Sequence, residues 1–377
     1  MIDWRRLFPL VLAAAALPGC GRTPEPAHTP DLAVLAQAAQ GFAQAQPGRV
    51  LRFPQDHGPH PDFRIEWWYL TANLEDPEGR PYGAQWTLFR LAARAPGSLP
   101  PESPWQNGQV YMAHMAITTP ERHAAFQRYA RGGDHQGLAQ AGVTAKPFRA
   151  WLDDWRMASV EPEETASWLP LEVRARQDGF AIQLRLESDR PPVLQGEAGF
   201  SAKSLNGGGS FYYSQPFLQA AGELTFAGKP VQVKGLAWLD REWSSQFLRP
   251  DQVGWDWFAL HLESGEKLML FQMRQASAGS RYRHAALISP GGRKTDFGPE
   301  QVRMEVVRTE RVAGRTLPLG WRVVLPGAGR VLRIDALHAG QWLDVDFPYW
   351  EGVVTVAGEG PENRGVGYME LTGYAPD

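Results

Sequence analysis

From residue 65 onward, polar and apolar side chains alternate with a period of two, the spacing of strands rather than helices. In Ile65-Glu66-Trp67-Trp68-Tyr69-Leu70-Thr71-Ala72-Asn73-Leu74, Glu66 and Trp68 share one face while Trp67 and Tyr69 share the other. Large rings on both faces predict a strand that is buried on both sides or that lines a hollow on one. The turn residues Asp76-Pro77-Glu78-Gly79-Arg80-Pro81 follow, and a second alternation over 82–91 sets Gln85, Thr87 and Phe89 opposite Trp86, Leu88 and Arg90. This predicts a hairpin. Further strands are expected at 110–118, 171–176, 180–187, 210–216, 222–226, 231–239, 255–263 and 267–274, and then at 281–288, 302–308, 322–325, 330–336, 353–357 and 367–371. So many strands at turn-length spacing predict an all-β chain rolled into antiparallel barrels. Trp67 to Leu74 also lies over Trp255 to Leu262 without a gap, pairing Trp67 with Trp255 and Tyr69 with Trp257. Two barrels in tandem are therefore expected, residues 50–248 and 249–377, divided at Leu248-Arg249-Pro250-Asp251, where a proline and charges interrupt the aromatic strands.

The N-terminal region has a different pattern. Leu32, Leu35, Ala39 and Phe42 recur near helical spacing before Pro47-Gly48, which predicts one short helix. Ahead of it, Arg5 and Arg6 precede an apolar run over 7–17 that closes on Leu17-Pro18-Gly19-Cys20. That order is a secretory leader, and its end resembles a lipobox. Residues 1–19 are then a signal peptide, Cys20 is the lipidation site, and residues 20–49 are a lipidated tether and helix. An ordinary signal peptide is the alternative; a buried helix fits poorly beside two arginines. The run is shorter than the roughly 20 apolar residues of a membrane-spanning helix. The expected location is the bacterial cell envelope, held by lipid, and Gly21 after Cys20 resembles sorting signals for the periplasmic face of the outer membrane. Cys20 is the single cysteine of 377 residues, so no intrachain disulfide can form and stability must come from packing.

Composition sharpens the picture. There are 15 Trp, 17 Phe and 10 Tyr beside 39 Gly and 31 Pro, a balance that suits strands and turns. Net charge is −3 with no long run of one sign, which gives no reason to expect a nucleic-acid partner. No cofactor is called for by any motif.

Several motifs together carry a family resemblance: Asp56-His57-Gly58-Pro59-His60 with Glu66-Trp67-Trp68-Tyr69; Gly83 to Arg90; Tyr212-Tyr213-Ser214; Trp238-Leu239-Asp240-Arg241-Glu242-Trp243-Ser244; Gly254-Trp255-Asp256-Trp257-Phe258; Tyr349-Trp350-Glu351-Gly352; and Gly367 to Tyr374. Over roughly Phe53 to Tyr374 the chain resembles the two-domain, lipocalin-like group that includes AttH, the "predicted secreted hydrolases" and carotenoid 1,2-hydratase. The resemblance implies two calycin-type barrels and a hydrophobic or amphipathic small molecule as ligand, with an ABC export system as partner on the AttH side. On the hydratase side it implies water addition to a carbon–carbon double bond, with the acid falling on Asp240 and the cation-facing rings on Trp238, Tyr213 and Tyr212. The histidine and tryptophan that the hydratase carries ahead of this strand are replaced here by Ser210-Phe211-Tyr212-Tyr213-Ser214.

The residues leave alternatives open. Asp240 beside Arg241 reads either as an acid or as half of an ion pair, in which case its pKa falls and it cannot donate a proton. Trp68, Tyr69, Gln85, Tyr212, Trp243, Trp255 and Trp257 read either as ligand-lining side chains or as ordinary core. His57, His60 and Glu66 read as a loop pinned over a barrel mouth or as a metal site, and no metal is expected because Gly58 and Pro59 break the spacing. Ser214, Ser244 and Ser245 lack a nucleophile elbow, so no hydrolytic triad is visible. Two function classes follow: an envelope-anchored binder of a hydrophobic molecule, or a hydratase- or hydrolase-type enzyme with Asp240 as general acid.

Overall fold

Among the described residues the alternation becomes two curled antiparallel sheets, one of thirteen strands and one of ten. The computed structural model describes residues 39–97, 108–132, 140–160, 167–276 and 281–377. The leader, Cys20 and residues 32–38 of the expected helix lie outside these residues, and residues 39–42 form a turn that Phe42 N–H closes on the Ala39 carbonyl. Among the described residues, helix is confined to four 3-10 turns of three residues each.

In the first sheet the strand Ile65–Glu75 pairs with Pro81–Ala92 on one side and Lys229–Ser244 on the other. The edge strands His123–Arg131 and Ala141–Ala145 approach at the parallel bridge Gly132–Ala141, so the sheet closes on itself. Its interior is filled by Trp68, Trp86, Trp155, Leu218, Leu239 and Trp243 among others. The stretches 210–216 and 222–226, expected as separate strands, are one strand, Gly209–Phe226. The ladder shifts register between Gln215 and Leu218, which leaves Pro216 outside the pairing and lets the strand run on. The strands at 123–131, 141–145, 148–152 and 155–159 carried no usable alternation: the first is half-buried along nearly its whole length, and the others are five residues long.

The second sheet begins at Gln252 and curls around Phe258, Leu260, Trp321, Ile334, Trp350 and Met369. Residues 248–251 lie in the connection between the two sheets. A third apolar cluster joins the outer faces of both: Tyr69, Tyr212, Trp238 and Phe247 from the first sheet and its exit, with Trp257 and Phe271 from the second. The rings on both faces of Ile65–Glu75 thus have separate duties, since Trp68 fills a barrel and Tyr69 fills a seam.

Candidate functional site

Lipocalin-like barrels imply a ligand space in their interiors. Those interiors are packed with side chains, and the space lies instead between the sheets, a cavity of about 530 Å³. That is within the range of small-molecule sites. The reason is register. On the first sheet, Trp67 pairs with Glu242 and Phe89, and Glu242 with Tyr212; one step on, Tyr69 pairs with Asp240, and Asp240 with Ser214. Side chains directly opposite share a face, so Trp67, Tyr69, Phe89, Tyr212, Asp240 and Glu242 all line the cavity. On the second sheet, the rows Met273–Trp255–Thr372 and Phe271–Trp257–Glu370 form the facing wall.

Alternation also separates Asp240 from Arg241. Arg241 turns into the first barrel and pairs with Glu66, whereas Asp240 faces the cavity and, among the described residues, touches no guanidinium. Three neutral groups donate to it: Tyr212 O–H to Oδ2 at 2.7 Å, and Ser214 O–H at 2.5 Å and Trp238 Nε1–H at 2.7 Å to Oδ1. Burial pushes the carboxyl up to about 7 against the opposing pull of those hydrogen bonds, and the neighbouring Glu242 carboxylate adds to the rise. Glu242 itself is compensated by Lys203 at 2.8 Å, whose ammonium lies 4.4 Å from the Phe271 ring centroid.

The facing wall holds a second such group. Glu370 accepts from Trp255 Nε1–H at 2.9 Å and Thr372 O–H at 2.8 Å, and burial again raises it to about 7. Its register partner Glu351 accepts from Tyr69 O–H at 2.5 Å and is raised well above the usual carboxylate range by burial and by Glu370. Tyr349 lines the cavity beside it, linked to His114 Nδ1 at 2.9 Å. Burial lowers His114 to about 3, so this ring is neutral. The cavity therefore joins aromatic walls to carboxylic acids that are uncharged in mildly acidic water.

The histidine loop serves another purpose. Glu66 sits at zero exposure and binds Arg90 and Arg241 through its two oxygens. His60 N–H donates to Glu66 at 2.9 Å, and its ring spans Glu66 at 3.1 Å and Asp56 at 2.8 Å while stacking on Trp243 at 3.9 Å. Burial works to raise Glu66, but Arg241 and then Arg90 hold it well below the usual range. His57 Nδ1 meets Tyr213 O–H at 2.7 Å, and the ring stacks on Trp168 at 4.0 Å. The donors that a metal would need are thus committed to the protein, and among the described residues no group of three or more His, Cys, Asp or Glu is arranged to hold one. His60 is held through Glu66 and His57 through Tyr213, both in the first barrel.

Of the residues expected to line a ligand space, Tyr69, Tyr212, Trp255 and Trp257 do so together with Asp240. Trp68, Tyr213 and Trp243 lie on the opposite face, in the barrel core, because each is an odd number of residues from a cavity-facing neighbour. Trp238 and Gln85 lie on the same face of the sheet as Asp240 and Phe89 but outside the cavity lining: Trp238 Nε1–H donates to Asp240, and Gln85 Nε2–H donates to Thr87 at 2.6 Å. Sequence reasoning missed Glu351, Glu370, Tyr349 and Lys203. The signal was present: a glutamate between Met369 and Leu371, and another between Trp350 and Gly352, are charges in otherwise apolar strands.

The AttH-like family profile matches residues 44–374. Among solved structures, a protein from Nitrosomonas europaea described as an AttH superposes with a TM-score of 0.74 at 37% identity, covering 89% of this chain and 100% of its own. Kievitone hydratase from Nectria haematococca superposes at 0.63 with 15% identity over 89% of this chain and 96% of its own, and CghA with Sch210972 at 0.54 with 14% identity over 90% and 97%. At those identities the latter two show a shared fold. Among curated proteins there is no match.

Proposed function

The chain belongs to the AttH-like family, and from that premise we propose that its inter-sheet cavity holds a hydrophobic or amphipathic small molecule, on which Asp240 acts as a general acid. One observation carries the reading: a buried carboxyl with no cationic partner among the described residues faces an aromatic-walled cavity and is raised to about 7. A site built only for apolar binding gains nothing from such a group. The fold shared with kievitone hydratase supports a hydratase-type reaction.

In that reaction the neutral Asp240 carboxyl gives its proton to one carbon of a double bond. The π electrons form the new C–H bond and leave a tertiary cation, which the faces of Trp255, Trp257 and Tyr212 stabilise. Water adds to the cation, and the proton it sheds returns to the Asp240 carboxylate. The sum is alkene plus water to alcohol, with the acid regenerated. Trp238, Ser214 and Tyr212 hold the carboxyl in place throughout, since each donates to it in the resting protein.

The same reading places the protein at the envelope, anchored through Cys20, most simply on the periplasmic face of the outer membrane, where an ABC exporter is its partner. Catalysis is tested with trisubstituted isoprenoid alkenes in 18O-labelled water. The wild type is expected to form alcohols carrying the label, while Asp240→Asn abolishes product and still shows tryptophan quenching by the same alkenes. Compounds that quench without reacting in the wild type would leave a binding protein alone, and an unchanged rate in the variant would remove Asp240 as the acid.

A further inference from the structure

A second cleft of about 940 Å³ opens where the two sheets meet, walled by Phe217, Gln219 and Leu236 of the first and by Leu262 and Lys267 of the second. Lys267 is 6% exposed, yet among the described residues no carboxylate lies within ion-pairing distance of it. Its ammonium lies 5.5 Å from the Phe217 ring centroid. The acids nearby are committed elsewhere: Glu266 to Arg330 at 2.6 Å, Glu263 to Arg364 at 3.0 Å, Glu187 to Arg185 at 2.6 Å and Asp189 to Arg190 at 3.5 Å. Directly opposite Lys267 in the ladder is His261, 3% exposed, whose Nδ1 has no hydrogen-bond partner among the described residues and whose ring meets Trp238 at 5.9 Å.

Two buried basic side chains thus sit together without an acid. Burial alone lowers Lys267 to about 8, so the ammonium still predominates at neutral pH. A desolvated charge without a counter-charge is costly, and here the missing partner is an anion. Beside the ammonium the wall is apolar, offered by Phe217, Leu236 and Leu262.

We infer that this cleft is a second ligand site, taking an amphipathic anion whose carboxylate or phosphate head pairs with Lys267 and whose chain lies along Phe217, Leu236 and Leu262. The inference is independent of Asp240 and its chemistry. A head group at Lys267 makes a charge-assisted hydrogen bond, the stronger kind, in a partly dry setting. An alkyl chain adds burial of apolar surface that an inorganic anion cannot supply.

Calorimetric titration of the full chain with decanoate, decyl phosphate and inorganic phosphate tests it. The wild type is expected to bind at least one amphiphile saturably, Lys267→Met to weaken it at least about tenfold, and Lys267→Arg to restore much of it. Because the methionine variant removes a buried charge, its thermal unfolding should show an intact fold. Wild-type protein that binds neither amphiphile, or a methionine variant that binds as tightly, overturns the site. Equal affinity for inorganic phosphate and decyl phosphate overturns the amphipathic class, and a preference between the two amphiphiles identifies the head group.

Discussion

Replacing Asp240 with asparagine should change how stability depends on pH, and the size of the change follows from the site. The carboxyl lies near 3.8 when exposed and near 7 in the folded protein, raised by burial. Between those values the folded state holds a proton that the unfolded chain has released, so stability falls as pH rises through the interval. A displacement of about 3 at ~1.4 kcal/mol each amounts to ~4 kcal/mol lost between pH 4 and pH 7 through this one group. Asparagine has nearly the same shape and can accept from Ser214 and Trp238 through its oxygen, but it does not titrate. Urea unfolding at intervals from pH 4.5 to 8 should therefore give the wild type a decline with rising pH that is several kcal/mol shallower in Asp240→Asn. The variant is expected to be the more stable of the two at pH 8. Parallel curves for the two proteins would show that Asp240 ionises normally, and the acid chemistry proposed for it would fall.

Glu370→Gln should flatten the same decline by a further ~3 kcal/mol, since its carboxyl also rises to about 7, and urea titration of the double variant measures it. Glu66→Gln removes the carboxylate that both Arg90 and Arg241 rely on and should cost about 3–5 kcal/mol, read as a lower urea midpoint, because two buried guanidiniums lose their partner. Trp321→Ala leaves a void in the second barrel and should cost about 3–5 kcal/mol while leaving alkene quenching of the cavity tryptophans in place. Cys20→Ser should abolish incorporation of a labelled fatty acid and release the protein from the membrane fraction; continued labelling would exclude Cys20 as the anchor.

The two sheets were legible in the sequence because strands such as Ile65–Glu75 and Gln252–Leu262 are long and carry rings at fixed parity. Parity also told which residues travel together, since Tyr69 and Trp67 share a wall and Trp68 does not. It did not tell which wall encloses empty space. Both faces of these strands are aromatic, and whether a face meets its own barrel or the other sheet depends on long-range curling that no local pattern records. The same limit hid Glu370, whose importance arises only when Trp257 and Asp240 are brought to opposite sides of one cavity. Asp240 illustrates the converse. Its neighbour Arg241 suggested an ion pair, yet strand geometry sends adjacent side chains to opposite faces and forbids that contact. His60 and Glu66 were close enough in sequence for their link to be foreseen, whereas the contact of His57 with Tyr213 spans the chain.

The most direct test is native mass spectrometry of the protein purified gently from its host, beside a Trp257→Arg variant that fills the hollow between the sheets. One organic molecule more per wild-type chain than per variant chain is the predicted result. A bare wild-type chain, or equal loading of both proteins, would contradict a ligand site at Asp240.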